Sequence, residues 1–446
     1  MEQQNFEQPQ TFFEKHKTLA KGLFIGFLVL LMLIPTAYIM VLVTERAHRQ
    51  NEVIAEISDK WAKEQTITGP VISVPYYVDV KNKDGGTVRS KRALYLLPEQ
   101  LSINGKVMPE IRHRSIYDVT VYRSDLVLQG SFDPTVLKAK YDLADDLDWN
   151  NAQLIVGIND ARGLEEEPQL KWADTSTYLE TSLAYIKNID ETLSADIKFN
   201  SNEKTNFRIT LKLKGTGQLY FTPSGKTTTV NLSSTWSTPA FDGKYLPDRT
   251  PKLSDSGFSA SWKILQASRG YPQCWSDDTQ PEFQKSAFGV KLIQQADHYT
   301  KTERSVKYAI LIISLTFLVF FFIEMLQKKS VHLLQYILVG IALCVFYTLL
   351  LSISEYAGFN IAYLIAATAT VSLITWYIKN IFSKNKVALA FAAALSSLYI
   401  YVFFLIQLKD YALLFGSIGL FIILAIVMYY SRNIDWYNSS KTKKIN

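Results

Sequence analysis

The order of apolar and polar positions divides this chain into long blocks of opposite character. Residues 1–21 are polar, with Lys15, Lys17 and Lys21 at their end. GLFIGFLVLLMLIPTAYIMVLV (22–43) then runs without a charge, long enough to cross about 30 Å of hydrocarbon as a helix. The run is too long for the apolar core of a signal peptide, and no small-x-small cleavage site follows it. It reads as an uncleaved anchor, with Pro35 tolerated because neighbouring helices satisfy the freed carbonyl. Between 44 and 305 nothing is apolar enough to span. After it come five further runs: 308–326, 331–353, 359–378, 387–406 and 411–430. Short connections make neighbouring spans antiparallel, and six spans put both termini on one side.

The outer block has a different rhythm. Val53, Ile57 and Trp61 recur at helical spacing, so residues 44–62 read as a helical extension of the first span. Beyond ITGP the pattern turns to period two or to β-branched runs: 71–80, 92–101, 117–132, 153–160, 206–223, 227–236 and 257–265. Gly, Asn, Asp and Pro punctuate them. Many short strands with turn signals predict an antiparallel sandwich or a related barrel. Residues 163–195, rich in Glu, Asp and Thr, read as a loose insertion or long loop. The expected fold is therefore a bundle of six transmembrane helices carrying a large β-rich domain over 44–305, with a tail at 431–446.

Charge orients this layout. Twelve Lys and Arg lie in the two tails and the 327–330 and 379–386 loops, against Lys409 alone in the opposite short loops. Short cytoplasmic loops collect positive charge, whereas long domains cross largely regardless of theirs. Both termini are thus expected in the cytoplasm and residues 44–305 outside. The net charge of +6 over 446 residues is mild, and no dense Lys/Arg cluster marks a nucleic-acid surface.

Candidate chemistry is sparse. The two cysteines, Cys274 and Cys344, sit in regions of opposite character and are not expected to pair. None of the five histidines keeps a recognised metal spacing, and no cofactor is implied. GINDARG (157–163) is the most enzyme-like stretch, with Asp160 and Arg162 after a strand. A turn held by an Asx-type bond at Asn159 or Asp160, with Gly163 in an unusual conformation, explains it as well. KGTGQL (214–219) lacks a third glycine in place and reads as a bend or bulge. The acidic run DDLDW (145–149) lacks the ligand spacing of a calcium loop. Hydrolase templates are missing. The span centres hold no ionised group, unlike most pumps of charged solutes; Glu324 and His332 lie at span edges and Glu355 in a loop. Ala388, Ala392 and Ser396 recur every four residues, as do Ala390 and Ala394, a spacing that lets helices approach closely.

Several segments resemble the CreD family of bacterial inner-membrane proteins: KEQTITGPVISVPY (63–76), YRSDLVLQGSFD (122–133), LIVGINDARGL (154–164), GTGQLYFTPSG (215–225), SGFSASWKI (256–264), RNIDWY (432–437) and, most specifically, TERSVKYAILIISLTFLVFFFIE (302–324) with QYILVGIALCVFYTLLLSISEYAGF (335–359). The resemblance implies an inner membrane, a periplasmic domain, a role in cell envelope integrity and expression under a two-component response. It supplies no catalytic residues. The leading reading is a non-enzymatic envelope protein whose β domain binds or braces another envelope component, with the lipid bilayer as its other partner. Glu303, Arg304 and Lys307 are its candidate domain-to-membrane joint. A periplasmic enzyme using Asp160 and Arg162, or a handler of lipidic substrates, are the alternatives.

Overall fold

The computed structural model describes residues 17–81, 87–141, 147–182, 189–277, 281–292, 298–408 and 411–432. Lys15, His16, Asp145, Asp146, Lys409, Trp436 and Tyr437 lie outside these. The chain forms two compact units, residues 51–295 and residues 1–50 with 296–446.

The first element, α1, runs Lys17–Trp61 with Pro35 inside it. The β unit that follows holds two sheets. One has the order β13 (Pro239–Gly243), β17 (Phe288–Leu292), β11 (Gln218–Phe221), β1 (Gln65–Lys81), β5 (Ala152–Ile158), β9 (Glu191–Ile197) and β8 (Glu180–Ser182). The strand β2 (Thr87–Leu96) also pairs with β1, and β16 (Cys274–Ser276) with β2. The other sheet has the order β14 (Lys252–Ser254), β15 (Gly257–Leu265), β12 (Thr227–Ser234), β3 (Gln100–Arg114), β4 (Tyr117–Phe132), β10 (Thr205–Thr216), β6 (Gln169–Trp172) and β7 (Thr175–Tyr178).

Alternation sets which face each strand buries. Along β10, Phe207, Ile209, Leu211 and Leu213 are buried while Arg208 and Thr210 are exposed, the two-residue period of a half-buried strand. One apolar core draws on both sheets, with Ile72, Leu154 and Phe288 from the first meeting Leu128, Ile209 and Trp262 from the second. The first sheet also buries part of its outer face, where Val71 and Ile155 pack with Tyr271, Trp275 and Phe283. That is why LIVGI in β5 is apolar without alternating.

Two expectations need correction here. The sheets are mixed, not antiparallel: β1 pairs with β11 in parallel, and β3 with β12. Strand periodicity carries no direction, and these partners lie over a hundred residues apart. Residues 163–195 are not a loose insertion either. Their described residues, all but 183–188, add the hairpin β6–β7 to one sheet and the strands β9 and β8, the latter at the edge, to the other. Leu170 and Trp172 are buried by this hairpin, but four residues of alternation are too few to read as a strand.

The helical unit continues with α3 (His298–Lys307), α4 (Ala309–Gln327), α5 (Leu333–Phe382), α6 (Asn385–Gln407) and α7 (Ala412–Ser431), the short α2 (Thr135–Lys140) belonging to the β unit. Among the described residues, five helices are long and apolar enough to cross a membrane. α5 has 50 residues and one non-helical position, Gly358, at φ 73° and ψ 163°, a conformation essentially confined to glycine. The rings of Phe346 and Tyr363 are 5.4 Å apart, whereas a straight helix would separate residues 17 positions apart by about 25 Å. The chain therefore doubles back at Gly358. Glu355, expected in a loop, lies inside the helix before this break and accepts a 3.0 Å bond from the Tyr299 hydroxyl. Ala390 and Ala394 are exposed and line a groove instead of a tight helix contact.

Candidate functional site

The last turn of α1 leaves carbonyls without intrahelical donors. Within the β unit the GINDARG turn supplies one. Arg162 Nη1 donates to the Asp59 carbonyl at 2.6 Å, while its Nε and Nη2 donate to Asp160 Oδ1 and Oδ2 at 2.9 and 2.8 Å. Asp160, only 2% exposed, also accepts the Arg162 amide at 3.1 Å and the Lys63 amide at 3.0 Å. Gln65 Nε2 donates to the Asp160 carbonyl, and Thr216 Oγ1 to the Ala62 carbonyl. The turn is thus a clamp on the end of α1 and the start of β1.

Gly163 serves it by proximity. Its φ is not positive, but a Cβ there would lie 2.6 Å from the Lys214 carbonyl oxygen and 2.7 Å from Gln65 Nε2. This corrects the expectation of unusual dihedrals at that glycine. The Asx-type bond is present at Asp160.

The electrostatics fit a fixed ion pair. Burial pushes the Asp160 carboxyl up, but the bonds from Arg162 and Lys63 outweigh it and hold the group below the usual carboxylate range. The bond from Asp160 raises Arg162 in turn. A carboxylate has about four acceptor sites, and all four here are taken by protein donors. Asp160→Ala is expected to strand two amide donors and to destabilise the β unit by about 2–3 kcal/mol. Because the folded pKa is depressed, the stabilisation is complete above the ordinary carboxyl value of about 4 and is lost as pH falls through the folded value. Denaturant unfolding of the two proteins at pH 7 and pH 3 checks this; equal midpoints at pH 7 would rule out the clamp.

Trp61, at the end of α1, is the second part of the site. Arg112 on β3, Arg123 on β4 and Lys214 on β10 place their cations 4.7, 5.2 and 5.0 Å from its ring centroids, within cation–π range. Beside it lies a cleft of about 270 Å³ lined by Ile57, Lys60, Trp61, Arg112, His113 and Arg114. Glu56 and Glu110 pair with the cations around the cleft, and His113 Nδ1 shares a 2.5 Å hydrogen bond with Asp118 Oδ1. Such exposed pairs are worth little each, so the cations remain open to exchange partners. Trp61 was legible in the helical spacing. The basic residues of EIRHR (110–114) were not, since only the β3–β4 pairing brings them to the helix end.

The residues expected at a domain-to-membrane joint have a quieter setting. Glu303 and Lys307 pair with each other at 2.7 Å along α3, Lys307 exposed and Glu303 half-buried, and Arg304 is half-buried beside them. The buried face of α3 carries Tyr299, Thr302, Ser305 and Val306 instead. Both cysteines are buried and free. Among the described residues no three His, Cys, Asp or Glu side chains gather as a metal site.

Comparison with known proteins accounts for nearly the whole chain. The family model described as Inner membrane protein CreD matches residues 17–437. Inner membrane protein CreD of Escherichia coli (strain K12) is 32% identical over 424 residues, 93% of each chain. With a family match of that extent, and a set of apolar helices joined to a mixed-sheet β unit, the chain belongs to the CreD family of inner membrane proteins.

Proposed function

We propose that this protein supports the integrity of the cell envelope by binding or bracing, without chemistry of its own, and that its β unit is the working part. The observation that carries this reading is the saturated Asp160–Arg162 clamp, which commits the most enzyme-like residues of the sequence to holding the end of α1. The cationic, aromatic cleft at Trp61 supplies a surface for a partner with acidic groups. The family's name, Inner membrane protein CreD, is not that of an enzyme, in keeping with this view.

In this reading the chain crosses the membrane six times, the two arms of α5 counting separately. A single 50-residue helix would be about 75 Å long, more than twice the hydrocarbon thickness. Both termini face the cytoplasm and residues 44–305 the periplasm, as the distribution of Lys and Arg favours. Two-component control of expression rests on the family resemblance alone.

The test is crosslinking in living cells, with a photoreactive residue at Lys60 or His113 in the cleft and at Thr210, four residues along β10 from Lys214, as an exposed control outside the cleft lining. A discrete envelope protein captured at the two cleft positions and not at Thr210 is the expected result. Capture of cytoplasmic proteins would refute the orientation, and no protein adduct at any position would refute the binding role.

A further inference from the structure

The second arm of α5 and α6 enclose a groove of about 690 Å³ that is open on one side. Leu364, Ile400 and Phe404 form its outer rims and are more than half exposed. Its lining is mostly apolar, but Thr368, Ser372 and Ser396 also face it. From Asn360 at one end to Ser372, twelve residues on, the groove follows the helix for about 18 Å. Half of a bilayer's hydrocarbon core is about 15 Å. The groove is thus the length of one leaflet.

Its Asn360 end is polar and charged. Gln407 Nε2 donates to Asn360 Oδ1 at 2.7 Å, and Lys301 Nζ donates to Gln407 Oε1 at 3.0 Å. The Lys301 ammonium sits 5.8 Å from the Phe359 ring centroid. No described carboxylate pairs with it, unlike Glu303 with Lys307 in the same helix. A cation with which no described carboxylate pairs, at the head of a leaflet-long apolar groove, calls for an anion that carries an acyl chain.

We propose that this groove holds one anionic phospholipid, its acyl chain along the second arm of α5 and its phosphate at Lys301. A second groove of about 600 Å³, between α4, α6 and α7, is the contrast. There Ser397 donates to its own helix at Ala393 and the Tyr401 hydroxyl to the Phe415 carbonyl, and no cation stands among its lining residues. It meets the requirements for passive hydrocarbon contact only. The leaflet-length match favours a phospholipid over a polyprenyl phosphate, whose apolar chain is several times longer.

The purified full chain would be exchanged into micelles with equal amounts of phosphatidylglycerol and phosphatidylcholine, and retained lipid counted by native mass spectrometry. One phosphatidylglycerol per chain, in preference to phosphatidylcholine, is the expected result. Lys301→Gln should lower that preference about fivefold. Filling the groove by Ser372→Trp or, separately, Thr368→Trp should remove retention of both lipids, while Ala394→Trp in the second groove should not. Equal retention of the two lipids by the unaltered protein, or an unchanged preference in Lys301→Gln, would overturn the proposal. So would preferential retention of undecaprenyl phosphate in a parallel arm.

Discussion

Arg269→Met is expected to cost the β unit about 3–4 kcal/mol, one of the two largest effects of any single change considered. Arg269 is 6% exposed, and no described carboxylate lies within ion-pair distance of it. Its Nη1 donates to the carbonyls of Pro223, Ser224 and Gly225, and Nη2 to Gln273 Oε1. The guanidinium carbon lies 4.9 Å from the Tyr271 ring centroid, and the Tyr271 hydroxyl donates to the same Pro223 carbonyl at 3.0 Å. Gln273 Nε2 in turn reaches the carbonyls of Leu97 and Pro98. The cation, directly and through Gln273, thus ties the 223–225 turn to the chain at Leu97 and Pro98. Burial lowers its pKa to about 10, so the group is still charged at neutral pH. Methionine keeps the volume and removes every donor. Lysine keeps the charge but not the fork of donors, and its effect should fall in between. Denaturant midpoints of the purified protein decide the matter, with Arg208→Met on the exposed face of β10 as reference; equal shifts for Arg269→Met and Arg208→Met would show that the buried guanidinium holds nothing.

In the helical unit the corresponding change is Glu324→Ala, expected to cost about 3–5 kcal/mol. The Glu324 carboxylate is 6% exposed in the last turns of α4. It accepts the Val331 amide at 2.9 Å, the Tyr336 hydroxyl at 2.8 Å and the Lys21 ammonium from α1. Lys21 also donates to the Val331 carbonyl at 2.7 Å. Removing the carboxylate leaves a half-buried ammonium and a buried hydroxyl without an acceptor. Replacing both charges, as Lys21→Met with Glu324→Leu, should recover part of the loss because no lone ion remains. The coupling between the two sites is then about 1–3 kcal/mol. Apparent melting temperatures of the two single variants and the double variant in detergent give this coupling; additive losses would mean that the ion pair does not form.

The two halves of the molecule differed in how far they could be read in advance. Apolar composition suffices to find the crossing helices, because hydrocarbon tolerates little else. The place where α5 turns was less legible: SEYAG reads as a loop, yet Ser354 and Glu355 stay helical and only Gly358 departs. In the β unit, alternation such as FRITLKL in β10 gave the strand and its buried face. It said nothing of partner or direction, so the parallel pairs β1–β11 and β3–β12 were missed. The same holds for sites. The Asx-type bond at Asp160 is local and could be inferred from GINDARG. Its purpose depends on Asp59 and Lys63, about a hundred residues earlier, which local reading cannot supply. Glu303 and Lys307 stand out as charges beside a span, and they form an i, i+4 pair along α3. Arg269 drew none, although it is the more deeply committed residue.

The pairing pattern of the β unit also bears on how the chain matures. β1 finds its neighbour β11 only after about 150 residues have followed it, and Phe288 and Val290 of β17 are buried in the same core. The strand that begins the domain therefore cannot complete its sheet until nearly all of the domain has been delivered. Contacts so distant in sequence fold slowly, and until they form, apolar strands and open edges are displayed to whatever surrounds them. For this protein the interval ends only a few residues before α3 and α4, so synthesis of the remaining helices and closure of the sandwich fall close together in time.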